Sequence, residues 1–353
     1  MIVNQWVPAA HTGDAVGDSA RRVRHLLRSL GHGAELFAMQ IDDALLDDVR
    51  SFDDPAAARG DVTILHYAIS SPMTAAFASL PGRRVVQYHN VTPAAFFAPY
   101  DLDLFRLATR GRDELESLAG HVDLALGDSE FNRRELEALG FASTGVFPIA
   151  VDTARVSARV SKPALEAVVD DGLPNYLHVG RIAPNKRIED HIRLAALYSR
   201  YVDGGCRFIF VGRYDVVPRY YSMVRSLVTQ YGLHDRVIFT GAVPDEELAI
   251  YYQHADVYVS LSEHEGFCVP LVEAMAAGVP VMAYAAAAVP DTLGGAGVQF
   301  APKDLELAAE LLGELTFDGN LRARVIAGQR KRLQDFGDDR LSRDLSALIG
   351  SLS

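Results

Sequence analysis

The chain alternates between short, nearly unbroken apolar runs and longer segments in which apolar residues recur every three or four positions. In the first half the runs are "MIVNQWV", "AELFAM", "VTILHYA", "RVVQYHN", "VDLALG" and "TGVFPI". Such runs suit strands buried on both faces, as in a parallel sheet. Between them lie helix-period segments such as "DSARRVRHLLRSLGHG" and "SEFNRRELEALG". The second opens on Ser129, a good helix N-cap, and stops at Gly140. Alternating strand and helix predicts an α/β domain whose doubly wound parallel sheet is covered on both faces.

The pattern restarts after a polar stretch, "DTARVSARVSKPALEAVVDDGLPN", at 152–175. New strands are expected at "YLHVG", "RFIFVG", "RVIFTG", "ADVYVSL" and "VPVMAY", most of them running into Gly or Pro as strand-to-loop transitions require. The last segment, roughly 303–351, is helical and ends without a strand. These signals divide the chain into an N-terminal Rossmann-like domain at 1–160, a C-terminal Rossmann-like domain at 161–335, and a terminal helix at 336–353 that returns to the first domain. Two such domains in tandem place a ligand in a cleft between them, near the strand carboxyl ends.

Composition narrows the partners. The chain has 353 residues, 49% of them hydrophobic, enough for two cores. Net charge is −12, from 34 basic and 46 acidic residues, which repels phosphate backbones and argues against nucleic acid. Two cysteines, Cys206 and Cys268, are too few for a disulfide framework and suit a reducing compartment. No apolar run reaches the roughly 18 residues that span a bilayer. The N-terminus "MIVNQWVPAA" lacks the basic and apolar regions of a signal peptide. A soluble cytoplasmic protein is expected.

Two passages carry chemistry. In "LHVGRIAPNKRIEDHI" (177–192) a strand ends at Gly180, Arg181 and Lys186 follow in the loop, and a helix starts near Arg187. Two cations beside a helix N-terminus make an anion site. In "ADVYVSLSEHEGFCVPLVEAMAAG" a strand runs into a loop holding Glu265, then a helix that begins near Pro270, carries Glu273 and stops at Gly278. Backbone N–H groups of Phe267, Cys268 and Val269 can point at an anion. Carboxylates beside an anion site repel the anion unless they face hydroxyl groups. A ligand with both phosphates and sugar hydroxyls meets both demands. No Cys/His cluster has metal-ligand spacing, and "DLD" at 101–103 reads as the cap of a helix.

"EGFCVPLVE" has the form E-x7-E. Together with "VGRIAPNKR", "VIFTGAVPDEEL" and "VVQYHNVTP", it makes the chain resemble the family-4 retaining glycosyltransferases of GT-B fold. The resemblance implies two Rossmann-like doubly wound domains facing across a cleft. It implies a hexosyltransferase that moves sugar from a nucleoside diphosphate sugar to a hydroxyl acceptor without metal or other cofactor. By the same resemblance, Arg181 and Lys186 grip the donor diphosphate, Glu265 holds sugar hydroxyls and Glu273 holds the ribose hydroxyls. Gly180, Gly266, Phe267 and Cys268 lie near sugar and phosphates, Val243 touches the base, and His89 sits beside donor sugar and acceptor. A UDP-sugar is favoured over GDP-mannose.

One loop departs from the family. Relatives often carry a Gly-Gly pair there; here "HTGDAVGDS" has Gly13, then Asp14 and Ala15. Gly13 stays a donor-loop candidate, while the acidic Asp14 is expected to face the acceptor, as is Asn90 beside His89. The segment 19–32 carries Arg21, Arg22, Arg24 and Arg28 around an apolar stripe. It reads as an ordinary first helix, with peripheral contact to anionic lipid as its second reading. Two other activities share the pattern: a GT-B epimerase or hydrolase of sugar nucleotides, and a dinucleotide-dependent oxidoreductase. The absence of G-x-G-x-x-G after the first strand counts against the latter.

Overall fold

A computed structural model describes residues 1–352 of the chain, which separates into two compact units. The first comprises 1–95, 103–152 and 334–353; the second comprises 96–102 and 153–333.

The first unit is built on seven strands: β1 (Ile2–Ala10), β2 (Gly33–Ile41), β3 (Arg50–Ser51), β4 (Val62–Tyr67), β5 (Arg83–Tyr88), β6 (Leu124–Gly127) and β7 (Thr144–Val146). They pair in the order β3-β2-β1-β4-β5-β6-β7, all parallel. The second unit holds β8 (Asn175–Val179), β9 (Arg207–Val211), β10 (Val237–Gly241), β11 (Val257–Ser260), β12 (Val281–Tyr284) and β13 (Val298–Phe300). Their order is β10-β9-β8-β11-β12-β13, again parallel. The expected doubly wound α/β class is therefore what folds. The sequence pattern missed β3 and β13, which are two and three residues long at sheet edges. Runs that short carry no period.

In the first unit, one face of the sheet packs Val3, Ile64, Val85, Leu124 and Leu126 against the helix Ala15–Ser29 and the terminal helix Asp338–Ser351. Leu341, Leu345 and Ile349 of the terminal helix are buried in that cluster, each burial stabilising by about 1.5–3 kcal/mol. The first boundary differs from the expected 160/161. Residues from 153 onward belong to the second unit because Arg155 pairs with Glu273 and Asp245 there. The loop 96–102 also packs in the second unit, with Phe96 beside His264 and Tyr100 edge-on to Tyr220 at 5.1 Å.

The arginines of the first helix are matched by carboxylates of their own unit. Arg21 meets Asp48 at 2.6 Å, Arg22 meets Asp338 at 2.7 Å, Arg28 meets Glu35 at 2.9 Å, and the buried Arg24 also holds Asp48. This pairing takes away the charge surplus that an anionic surface would attract. No helix among the described residues is long and apolar enough to cross a membrane.

Candidate active site

In the second sheet, chain-consecutive strands run outward in one direction from β8 and in the other from β11. The β8/β11 boundary is thus the topological switch point, where loops diverge and leave a crevice at the strand carboxyl ends. Both sequence-derived passages leave from these two strands.

After β8 the chain turns at Gly180 (φ 150°), whose N–H donates to the Val211 carbonyl at 2.9 Å. Gly212, at the matching end of β9, also has positive φ (142°). A Cβ there would lie inside the van der Waals envelope of the Gly180 carbonyl. Only glycine lets the two backbones meet this closely. A short turn, Pro184–Lys186, then delivers Lys186, and Arg187 enters the helix Ile188–Tyr201 in the left-handed region (φ 52°).

The loop after β11 is stitched to this turn: Asn185 Nδ2 donates to the His264 carbonyl at 3.0 Å, and Glu263 N–H to the Asn185 carbonyl at 2.9 Å. That stitching sets Glu265 against Lys186. Lys186 Nζ lies 2.6 Å from both carboxylate oxygens, with the two side chains 16% and 8% exposed. One cation and one carboxylate, mostly withdrawn from water, thus stand together at the switch point. Of the other candidates here, Arg181 is exposed on the same loop, Val243 is half-buried after β10, Gly266 and Val269 are half-buried, and Phe267 is buried.

The helix Val269–Ala276 begins beyond Cys268, and no side chain caps its N-terminus. Cys268 is in the left-handed region (φ 72°), an uncommon state for a residue with a Cβ. Burial first, then the nearby Glu265 carboxylate, pushes its thiol well above the ordinary range, so it stays a neutral packing group. Cys268→Ala is expected to keep activity within about threefold of wild type, because a neutral buried thiol offers sugar transfer no chemistry. A larger loss in a steady-state assay would assign the sulfur a role.

Glu273 departs from the expectation of a carboxylate open to ribose hydroxyls. It is 1% exposed, and Arg155 and Tyr252 occupy its two oxygens, Tyr252 at 3.0 Å. The reason is local: the polar stretch after residue 152 brings Arg155 onto this helix, and a buried carboxylate holds whichever cation is nearest.

Two buried histidines underlie the site. His178 donates from Nδ1 to the Val259 carbonyl at 3.1 Å, and its Nε2 lies beneath Gly180 without a partner. Burial is the main cause holding His178 well below the usual imidazole range and His191 down to about 4. Their folded pKa values lie below the unfolded 6.5, so the unfolded chain binds more protons as pH falls. Stability is therefore expected to be full above pH 6.5 and to fall between pH 6.5 and about 4. Melting temperature followed across that window checks it; a flat profile contradicts it.

The first-unit candidates fall differently. The His89 side chain is 2% exposed, and both ring nitrogens are engaged, Nδ1 with Asp128 and Nε2 with His66. It is thus a buried histidine at the end of β5, not one with a nitrogen open to a ligand. Asn90 (φ 74°) gives its amide to Asn132 and Glu135. Asp14 caps the first helix, accepting from Gly17 N–H at 3.0 Å, so its carboxylate serves the fold; Gly13 is exposed in the turn before it. Sequence reading missed Gln5, His66, Gln87 and Asp128, and also Arg155. The one available signal was polar letters inside otherwise apolar strands. Among the described residues, no group of three or more His, Cys, Asp or Glu side chains is arranged to hold a metal.

Residues 166–332 match the family described as glycosyl transferases group 1. The serotype-specific mannosyltransferase WbdA of Escherichia coli is 29% identical over 160 residues, 44% of this chain but 19% of WbdA. The chain thus matches about a fifth of that relative's length. A GDP-mannose-dependent α-(1-6)-phosphatidylinositol monomannoside mannosyltransferase of Mycobacterium tuberculosis is 28% identical over an alignment of 379 positions, covering 93% of this chain and 90% of its own. Among solved structures, HepE of Anabaena in complex with UDP-glucose aligns with a TM-score of 0.77 at 17% identity, over 99% of this chain and 100% of HepE. At that identity the likeness establishes the fold, which is GT-B.

Proposed function

We infer that this chain, whose residues 166–332 match the family described as glycosyl transferases group 1, is a glycosyltransferase. It moves a hexose from a nucleoside diphosphate sugar to a hydroxyl acceptor, with retention at the anomeric carbon. The observation that carries this reading is Lys186 held against Glu265 at the β8/β11 switch point. When a diphospho-sugar enters, the ammonium turns to phosphate and the carboxylate accepts from sugar hydroxyls, so the ion pair exchanges internal partners for ligand ones. Arg181, exposed on the same loop, adds a second cation, and the uncapped helix beyond Cys268 adds N–H dipoles. Gly180 lets the backbone approach the phosphates.

As the bond from C1 to the phosphate oxygen breaks, negative charge grows on the diphosphate and is stabilised by these groups. The acceptor oxygen bonds to C1 on the same face, and its proton passes to the departing phosphate oxygen. The cations carry the charge that a divalent metal carries in other transferases, so the reaction is proposed to run without one. The M. tuberculosis relative's name makes GDP-mannose the first donor to test, ahead of the UDP-sugars favoured from the sequence.

The test is turnover of a panel of GDP-, UDP-, ADP- and dTDP-hexoses with simple glycoside acceptors, in chelator, with the product anomer read by NMR. One donor is expected to give a product of retained configuration. Inverted product, or release of free sugar without transfer to any acceptor, overturns the reading.

A further inference from the structure

The loops that carry Lys186 and Glu265 are joined a second time, by charge, a few residues from that pair. Arg187 follows Lys186 directly, Asp190 lies in the first turn of the helix Ile188–Tyr201, and Glu263 stands two residues before Glu265. A fourth side chain, Lys303, comes from neither loop; it lies between β13 and the helix Leu305–Phe317. Asp190 Oδ2 meets Arg187 Nε at 3.0 Å and Lys303 Nζ at 3.1 Å. Glu263 Oε1 meets Lys303 Nζ at 2.9 Å and Arg187 Nε at 3.4 Å. Each carboxylate thus touches both cations, and the four side chains close into a ring of alternating charge. Two carboxylates drawn this close repel each other unless cations stand between them. Arg187 reaches Glu263 only at the longer distance and also pairs with Glu189 at 3.0 Å, so the closer link across the loops is Lys303.

An ammonium has three hydrogens to give, and those of Lys303 are all placed. They go to Asp190 Oδ2, to Glu263 Oε1 and to the Leu261 carbonyl at 3.0 Å. The same nitrogen lies 4.5 Å from the centre of the Tyr284 ring, and the side chain is mostly buried. Leu261 is the first residue after β11, and its N–H donates to His191 Nε2 at 3.3 Å. Both backbone groups of Leu261 are therefore tied to the helix Ile188–Tyr201, one through His191 and one through Lys303 and Asp190. With its hydrogens taken, Lys303 has none left for a ligand. Lys186 Nζ, by contrast, is held by the two Glu265 oxygens and has a third hydrogen to give.

We propose that Lys303 is a positioning residue for the donor site: it clasps the β11 loop to the helix after Lys186, and so keeps the two loops at one spacing when Lys186 and Glu265 part for a ligand. This rests on the glycosyltransferase reading, in which that pair exchanges internal partners for phosphate and sugar. The exchange breaks one salt link between the loops just when their separation has to match the donor. The ring supplies a link that the ligand does not consume. Without it the site cation and carboxylate drift, and small misplacements of binding groups are costly.

The test joins amide hydrogen exchange to calorimetric donor binding in full-length wild type, Lys303→Met, Lys303→Arg and Glu263→Gln, with GDP-mannose and UDP-glucose as probes. Lys303→Met is expected to speed exchange at the Leu261 and Glu263 amides about tenfold or more, while the β9 amides stay as in wild type. It should weaken binding of the preferred diphospho-sugar about tenfold or more, and Lys303→Arg should return it to within about threefold of wild type. Glu263→Gln removes negative charge near a diphosphate, so a simple field effect would tighten binding; the clasp predicts weaker binding. Glu263 is half-buried, so this variant decides the matter even where Lys303→Met does not fold. Unchanged exchange at Leu261 and Glu263 overturns the proposal, whatever the donor does. Tighter binding in Glu263→Gln, or a Lys303→Met protein that melts lower yet binds donor like wild type, overturns the positioning role. Faster exchange in the variants of a protein whose wild type binds no diphospho-sugar would refute the proposed activity and leave the clasp between the loops standing.

Discussion

Alanine at Lys186 is expected to lower kcat/KM for the sugar donor by about 10²-fold or more, equivalent to about 3 kcal/mol of transition-state stabilisation. The lysine is held by Glu265 at 2.6 Å and neither side chain is more than 16% exposed, so water can do little to replace it. In the proposed transfer, charge on the leaving diphosphate is larger in the transition state than in bound substrate, so kcat should fall in addition to donor binding. The substitution also leaves Glu265 buried without its cation. Lys186→Arg separates the two effects, since it restores charge near the carboxylate with altered geometry. Steady-state kinetics of both variants are the check. A change within threefold for Lys186→Ala would mean that the diphosphate is held elsewhere.

Alanine at Gly212 is the second large effect, and it acts through backbone alone. The residue has φ 142° and sits where a Cβ would enter the Gly180 carbonyl. Gly180 opens the loop that carries Arg181 and Lys186, and its own N–H is tied to Val211. Relieving the clash must push the ends of β8 and β9 apart. The expected cost is about 3 kcal/mol or more of stability, together with loss of donor affinity. Gly232→Ala is the control: φ is also positive there (65°), yet nothing lies within 4 Å of the added carbon. It should cost only about 1–2 kcal/mol and leave donor binding intact. Urea unfolding and donor titration of the pair check this; equal effects would remove Gly212 from the account.

What the sequence revealed follows from how local each feature is. The buried parallel strands are nearly continuous apolar words, so β1, β4, β5, β8, β9 and β11 stand out. Lys186 and Glu265 were legible because each sits at a strand-to-helix junction with Gly and Pro around it. Their pairing at the switch point needed only the expected strand order. Glu273 was legible as a carboxylate near a helix start, but its engagement by Arg155, 118 positions earlier, was not. The hydrogen-bonded row through Gln5, His66, His89 and Asp128 in the first unit shows the same limit. Each polar residue is one letter in an apolar run, and its partners are 23 to 61 positions distant. The loop 96–102 packs in the second unit through Phe96 and Tyr100, a choice made by aromatic contacts that no local pattern encodes.

The most direct measurement is a calorimetric titration of wild type and Lys186→Ala with GDP-mannose, UDP-glucose, the corresponding nucleoside monophosphates and the free hexoses. Saturable binding of one diphospho-sugar by the wild type is predicted, weakened at least tenfold both by removal of the β-phosphate and sugar and by loss of Lys186. Equal affinity for the monophosphate and the diphospho-sugar, or binding indifferent to Lys186, would contradict a switch-point pocket built to hold phosphate and sugar together.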